Sequence, residues 1–175
     1  MPFVQQKDYT KVNKMDSKNL NLLGIIAIIG AVLLVVGVFM TWLSNDFATY
    51  SGWNVFNNED GIKDAIKYGY VPILALVCGI ISLVLMIVPT VMNVDKFKQI
   101  NDILGIIALI LAIVVIILGL LWYTQSIDVI SIFGLKYTAK LTELYSVGTG
   151  FWLTIVGAVI TAVGGLMPIV KNKLL

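Results

Sequence analysis

Apolar residues gather into four unbroken runs along this chain, 20–42, 70–92, 103–123 and 151–170, and no charged side chain falls inside any of them. At ~1.5 Å per residue, a helix needs about 20 residues to cross a ~30 Å hydrocarbon core, and each run supplies that length. The pattern predicts an all-α membrane protein, a bundle of four transmembrane helices over 20–170. A polar tail (1–19) precedes the bundle and a short basic end (171–175) follows it. Two long loops, 43–69 and 124–150, join spans on one side, and one short loop joins them on the other. The first run is too long for a signal-peptide core and no small-residue cleavage site follows it, so it is expected to stay as an uncleaved anchor.

Lysines orient the bundle. Lys7, Lys11, Lys14, Lys18, Lys96, Lys98, Lys171 and Lys173 lie on the side of the termini, and only Lys63, Lys67, Lys136 and Lys140 lie with the long loops. Counting Asp8, Asp16, Asp95 and Asp102, the first side carries +4; counting Asp46, Glu59, Asp60, Asp64, Asp128 and Glu143, the second carries −2. By the positive-inside rule both termini are expected in the cytoplasm, in a multi-pass protein of the plasma membrane. Lys7, Lys11, Lys14 and Lys18 would share one face of a helix and could hold an interfacial segment to lipid at ~1 kcal/mol each. As a disordered tail they would supply topogenic charge alone.

The long loops are not ordinary polar connections. The first interleaves Phe47, Tyr50, Trp53 and Phe56 with Asn, Ser and Gly, and its second part, 59–68, reads as a short helix with Ile62 and Ile66 on one face. Trp42, Trp122 and Trp152 border spans and are expected in the interfacial belt, whereas Trp53 lies deeper in its loop. The second loop holds Ile127, Val129, Ile130, Ile132, Phe133 and Leu135 around Gly134, which suits a short hairpin or one bent strand. Leu141, Leu144 and Tyr145 then recur at helical spacing. Such apolar content calls for cover. The two loops are expected to pack together as an extracytoplasmic cap, with Tyr50, Trp53, Phe56, Phe133 and Leu135 as candidate partner-binding residues.

Small residues recur within the spans. Gly150, Thr154, Gly157, Thr161, Gly164 and Gly165 follow helical spacing in the fourth, and Gly105, Ala108, Ala112 and Gly119 in the third. Small residues let helices approach closely where lipid removes the usual hydrophobic gain, so Gly157, Thr161, Gly164, Gly165, Gly105 and Ala112 are expected at helix contacts, within one bundle or between copies. Shifting the chain by 81 residues lays Leu23–Ala27 on Leu104–Ala108 and Gly69-Tyr70 on Gly150-Phe151, which suggests a duplicated two-span unit.

Composition removes much chemistry. Histidine is absent, Cys78 is the single cysteine and sits in a span, and no zinc spacing, nucleophile–base pair or phosphate loop occurs. No span holds the carboxylate or lysine that would mark transport or proton relay. A net charge of +2 gives no basis for nucleic-acid binding. No catalytic residue, metal site or cofactor is expected.

Four spans with inside termini, Trp42 closing the first, Ser51-Gly52-Trp53 in the first long loop and a β-prone second loop resemble the claudin and peripheral-myelin-type tetraspan group, and small prokaryotic tetraspan proteins are similar. The resemblance implies a left-handed four-helix bundle carrying an outer cap. The first loop lacks the two cysteines that follow the family's Gly-Leu-Trp element, so the family's paracellular role is not carried over. The expected function is non-enzymatic: a scaffold, adhesion element or accessory subunit in contact with membrane lipids and with other membrane or cell-surface proteins, a second copy of itself included. An oligomeric channel or transporter component is the alternative reading, and a membrane enzyme the third.

Overall fold

The computed structural model describes residues 9–58, 61–91, 98–130 and 136–174, with side chains over 24–58, 61–87, 102–127 and 137–166. The chain is mostly helical. Four long helices dominate it: α1 (Tyr9–Phe39), α4 (Val71–Val91), α5 (Lys98–Tyr123) and α7 (Thr149–Leu174). Between them lie the short helices α2 (Gly52–Phe56), α3 (Ile62–Ala65) and α6 (Leu141–Leu144). Five short strands complete the chain: β1 (Thr41–Ser44), β2 (Thr49–Ser51), β3 (Ser126–Ile130), β4 (Lys136–Lys140) and β5 (Ser146–Val147).

Two stretches, Asp102–Tyr123 and Thr149–Leu166, are long and apolar enough to cross a membrane, and Gly24–Phe39 and Val71–Ile87 are shorter apolar helical stretches. The long helices close a ring in which α1 packs on α4 and α7, and α5 packs on the same two. Many of their buried positions are small, Ala27, Ala31, Ala75, Ala108, Ala112 and Ala158 with Ser82, Thr154 and Thr161, packed among larger ones such as Leu34, Val38, Met86, Val115, Trp122 and Phe151. Their exposed positions are large: Ile25, Ile29, Val32, Val36, Val77, Ile80, Val84, Ile110, Ile117, Val156 and Val159 among others. The polar Ser82, Thr154 and Thr161 are turned inward while large apolar side chains face outward, an inverted arrangement.

The helix starting at Tyr9 differs from the disordered-tail alternative. Lys11, Lys14 and Lys18 lie on the first turns of α1, continuous with the apolar stretch, while Lys7 lies outside the described residues. At its other end α1 stops short of the expected boundary. The Gly37 carbonyl accepts from the Met40 backbone N–H at 3.3 Å and from the Trp42 indole Nε1 at 2.9 Å, and the chain leaves as a strand at Thr41. Trp42 therefore closes the helix by hydrogen bonding back to it rather than by ending the span in an interfacial belt.

The two long loops meet. β1 pairs antiparallel with β2 of its own loop and with β5 of the other, giving a three-stranded sheet ordered β2-β1-β5. Asn45 shapes the β1–β2 turn: its Oδ1 accepts from the Phe47 and Ala48 backbone N–H groups at 3.0 and 2.8 Å. β3 and β4 form a separate hairpin in register from Ser126↔Lys140 to Ile130↔Lys136, and the sequence-expected Phe133 and Leu135 fall outside the described residues. α3 is shorter than the helix expected over 59–68 and keeps Ile62 and Ile66 buried. Among the described residues the loops do not mirror each other, since the first runs β-β-α-α and the second β-β-α-β.

One apolar core runs from the bundle into the cap, through Leu34, Val38, Trp42, Val55, Val71, Val115, Trp122, Ile127, Leu141 and Phe151. Cap and bundle share this core and hold each other in place.

Candidate functional site

The cap end of the molecule is where polar, aromatic and strained features concentrate, and its position is fixed by the α1–α7 seam below it. On α7, Gly150, Gly157 and Gly164 recur every seven residues, as do Thr154 and Thr161; on α1, Gly30 and Gly37 do the same. A methyl group added at Gly157 would stand 2.5 Å from Leu34 N and 2.7 Å from Gly30 O; one added at Gly30 would stand 2.5 Å from Thr161 N. At Gly150 it would meet Gly37 O at 2.6 Å, and at Gly164 the Ala27 Cβ at 2.5 Å. All but the last are approaches to backbone atoms, which only glycine allows. Thr154 and Thr161 turn their hydroxyls back onto the Gly150 and Gly157 carbonyls at 2.9 and 2.8 Å, so no polar group is stranded in the seam.

Of the small residues singled out from sequence, Gly157, Thr161 and Gly164 pack against α1. A methyl at Gly165 would meet the Gly105 carbonyl on α5 at 2.7 Å, and Ala112 is buried on the same helix. The stripe is covered by the chain's own helices. Its partners on α1, Gly30 and Gly37, were not singled out from sequence, although their seven-residue spacing with Ala27 and Ala31 nearby was the available signal.

At the junction of bundle and cap, Trp42, Trp122 and Phe151 form the buried centre of an aromatic cluster, with Tyr123 and Trp152 also against Phe151. Trp42 meets Trp122 and Phe151 edge-on at 5.1 and 5.5 Å, and Trp122 stacks on Phe151 at 5.1 Å. Trp42 is 1% exposed and Trp122 is fully buried, which corrects the belt expectation for both. Two edge-on pairs and one stack favour the interior over the interface. Trp152 is half exposed and remains at the surface.

The Ser51-Gly52-Trp53 element acquires a physical account here. Ser51 ends β2 and caps α2: its Oγ accepts from the Asn54 backbone N–H at 3.1 Å and donates to the Asn54 side-chain oxygen. A methyl at Gly52 would stand 2.8 Å from the Val38 carbonyl and 2.9 Å from the Trp42 indole nitrogen, so glycine is what lets α2 lie on the end of α1. Trp53 then projects outward and forms a tilted row with Phe39 and Phe56, at ring separations of 5.9 and 6.2 Å. Lys63 Nζ stands 4.5 Å over the Phe56 ring.

Tyr50 is placed elsewhere. It is 8% exposed and meets Tyr145 edge-on at 6.4 Å, so it joins the two loops internally instead of presenting a binding surface. Alternation along β2 explains this, because Tyr50 points into the sheet's covered face between the exposed Thr49 and the half-buried Ser51. Phe47 takes the opposite position. At the tip of the β1–β2 turn it is 95% exposed, the most exposed large apolar side chain among the described residues. The Asn45 turn that lifts it was the missed signal.

A second feature lies on the far side of the cap, where α3, the 66–70 turn, the end of α5 and the β3–β4 hairpin enclose a polar cleft of about 640 Å³. Gln125 stitches the two loops together there. Its Oε1 accepts from the Tyr68 backbone N–H at 3.0 Å and its own carbonyl accepts from Leu141 N at 3.1 Å. Asn58, held at a left-handed φ of 60°, supports the same cleft. Its Oδ1 accepts from Lys63 N and Asp64 N at 2.9 and 3.3 Å, and its Nδ2 donates to Asp64 Oδ2 at 2.8 Å.

Among the described residues, no group of three or more His, Cys, Asp or Glu stands close enough to hold a metal ion. No family model, no curated protein and no solved structure matches this chain.

Proposed function

We propose that this chain is a four-span plasma-membrane protein with both termini in the cytoplasm, acting as a non-enzymatic scaffold, adhesion element or accessory subunit whose cap contacts other proteins. The observation that carries the membrane reading is the inverted bundle. Among the described residues, twenty-five large apolar side chains on the four long helices are exposed, from Ile25 on α1 to Leu166 on α7. Half-exposing each one in water forgoes about 1 kcal/mol, so their sum exceeds the ~5–15 kcal/mol by which ordinary domains are stable. A hydrocarbon solvent removes that penalty. Only 28% of the Asp102–Tyr123 stretch is buried, whereas a core helix of a soluble protein would be mostly covered. The lysine asymmetry supports the orientation, and the seven-residue spacing across the α1–α7 seam supports the left-handed crossing. The claudin-like resemblance rests on the same topology and on the Ser51-Gly52-Trp53 element.

The interaction role is supported by a packed cap that raises Phe47 into solvent and displays the Phe39, Trp53 and Phe56 row. Exposed aromatics on a fixed scaffold are the side chains that anchor protein interfaces. The bundle interior offers a channel nothing to use within one chain, since its described core is filled by Ala, Val and Leu with Ser82, Thr154 and Thr161 as polar members.

The test is a photo-crosslinking amino acid at position 47 or 53 in native membranes, combined with native mass and liposome conductance of the purified chain. Specific protein adducts from position 47, and a species without ion flux, are expected. A stable ring that conducts ions would overturn the scaffold reading.

A further inference from the structure

The cleft between the two loops holds an unexplained group. Gln125 is 5% exposed, and its Oε1 is fixed by the Tyr68 N–H, which settles which end of the amide is the donor. Its Nε2 has no partner. A buried amide N–H left unpaired is costly, and an acceptor brought to this wall of the cleft would remove that cost. Around the same cleft stand Lys67, whose Nζ lies 5.4 Å from the Tyr68 ring centroid, Asp64, and Thr124, whose hydroxyl already donates to the Leu120 carbonyl at 2.9 Å and keeps its acceptor capacity. Among the described residues, the two charged side chains lining the cleft, Asp64 and Lys67, carry opposite charges. Its lower wall is Leu121, which belongs to the outward apolar face of α5. The cleft therefore opens where polar cap gives way to apolar helix surface.

We infer that this cleft binds the zwitterionic headgroup of a phosphoethanolamine lipid. The Gln125 Nε2–H and the Lys67 ammonium donate to the phosphate oxygens, Asp64 accepts from the lipid ammonium, and the acyl chains leave along Leu121. An anionic headgroup would leave Asp64 facing a like charge, and a choline headgroup has no N–H to offer its carboxylate. The inference rests on the membrane reading above, because only then does Leu121 border acyl chains.

The experiment uses the full chain reconstituted into phosphatidylcholine liposomes, where resistance to alkaline extraction tests the membrane reading by itself. Lipid retention is then read by native mass spectrometry after supplying phosphatidylethanolamine, phosphatidylglycerol or more phosphatidylcholine at equal amounts. Phosphatidylethanolamine is expected to be retained about tenfold more strongly than either, the factor that one charge-assisted hydrogen bond provides. Lys67→Gln and Asp64→Asn, both at exposed positions, are each expected to erase that preference while leaving thermal stability nearly unchanged, and Gln125→Glu, which keeps the acceptor for Tyr68 but removes the donor, is expected to erase it at the stability cost of a buried carboxylate. Equal retention of the three lipids, preference for phosphatidylglycerol, or a preference that survives all three substitutions would overturn the assignment even if the chain inserts. Binding of soluble glycerophosphoethanolamine without retention of the intact lipid would also overturn it, by assigning the cleft to a water-soluble ligand.

Discussion

Gly157→Ala is the substitution whose outcome the geometry fixes most narrowly. The added methyl would lie 2.5 Å from Leu34 N, 2.7 Å from Gly30 O and 3.0 Å from the Leu33 carbonyl carbon, all backbone atoms of α1. Ordinary contact needs ~3.4–4 Å, so α1 and α7 must part by roughly 1 Å, and neither helix can yield by rotating a side chain. Overpacking of this kind costs about 1–3 kcal/mol, offset in part by alanine's better helix propensity of up to ~1 kcal/mol. A net loss of about 1–2 kcal/mol is expected in detergent-titrated unfolding followed by tryptophan emission. Gly30→Ala should cost a similar amount. The double variant should cost less than the two together by ~0.5 kcal/mol or more, because one separation of the helices relieves both methyl groups. Val156→Ala, one position away but facing outward, should stay within ~0.5 kcal/mol. A Gly157→Ala variant as stable as the parent, or strict additivity with Gly30→Ala, would refute a close backbone seam.

Other substitutions test the cap. Gly52→Ala should push α2 off the Val38 carbonyl and the Trp42 indole, lowering the near-ultraviolet tryptophan signal and costing about 1–3 kcal/mol, where an unchanged spectrum would show that α2 does not lie there. Trp42→Phe loses the indole bond to Gly37 and should destabilise by ~1–2 kcal/mol in the same unfolding assay, with Gly37→Ala failing more severely because a methyl there meets Thr154 N at 2.7 Å. Asn58→Ala should cost about 1–2 kcal/mol from the lost bonds to Lys63, Asp64 and the left-handed backbone, and Asn58→Gly should recover the backbone part alone, as read by thermal melts. Phe47→Ala should leave stability within ~0.5 kcal/mol while removing crosslinks at the neighbouring cap positions, since no described residue covers that ring.

The long helices were legible because uncharged runs of span length have few other physical outcomes, and α4 and α5 fall within a few residues of the expected bounds. The seam was half legible. Small residues on α7 announced a close contact, but the matching Gly30 and Gly37 were hidden in a run read only for its hydropathy. The aromatics were the least legible part. Composition alone cannot separate Trp42 and Trp122, which are buried together, from Trp152, which stays half exposed, because all three stand at the ends of long apolar runs and only the ring packing distinguishes them. Tyr50 and Phe47 exchange the roles that a list of loop aromatics suggests, since strand alternation and the Asn45 turn decide which ring is covered. Gln125 carried no sequence signal at all. Its importance comes from Tyr68, 57 positions away in the chain, and only tertiary packing brings the two together.

The central claim, an inverted bundle crossing the membrane with the cap outside, is tested most directly by labelling single cysteines in a Cys78→Ala background with a membrane-impermeant maleimide on intact cells. Cysteine at Phe47 should react at once, and cysteine at Ser17 on the first turns of α1 should react only after permeabilisation. Labelling of position 17 from outside while position 47 is protected, or of both without permeabilisation, would contradict the account.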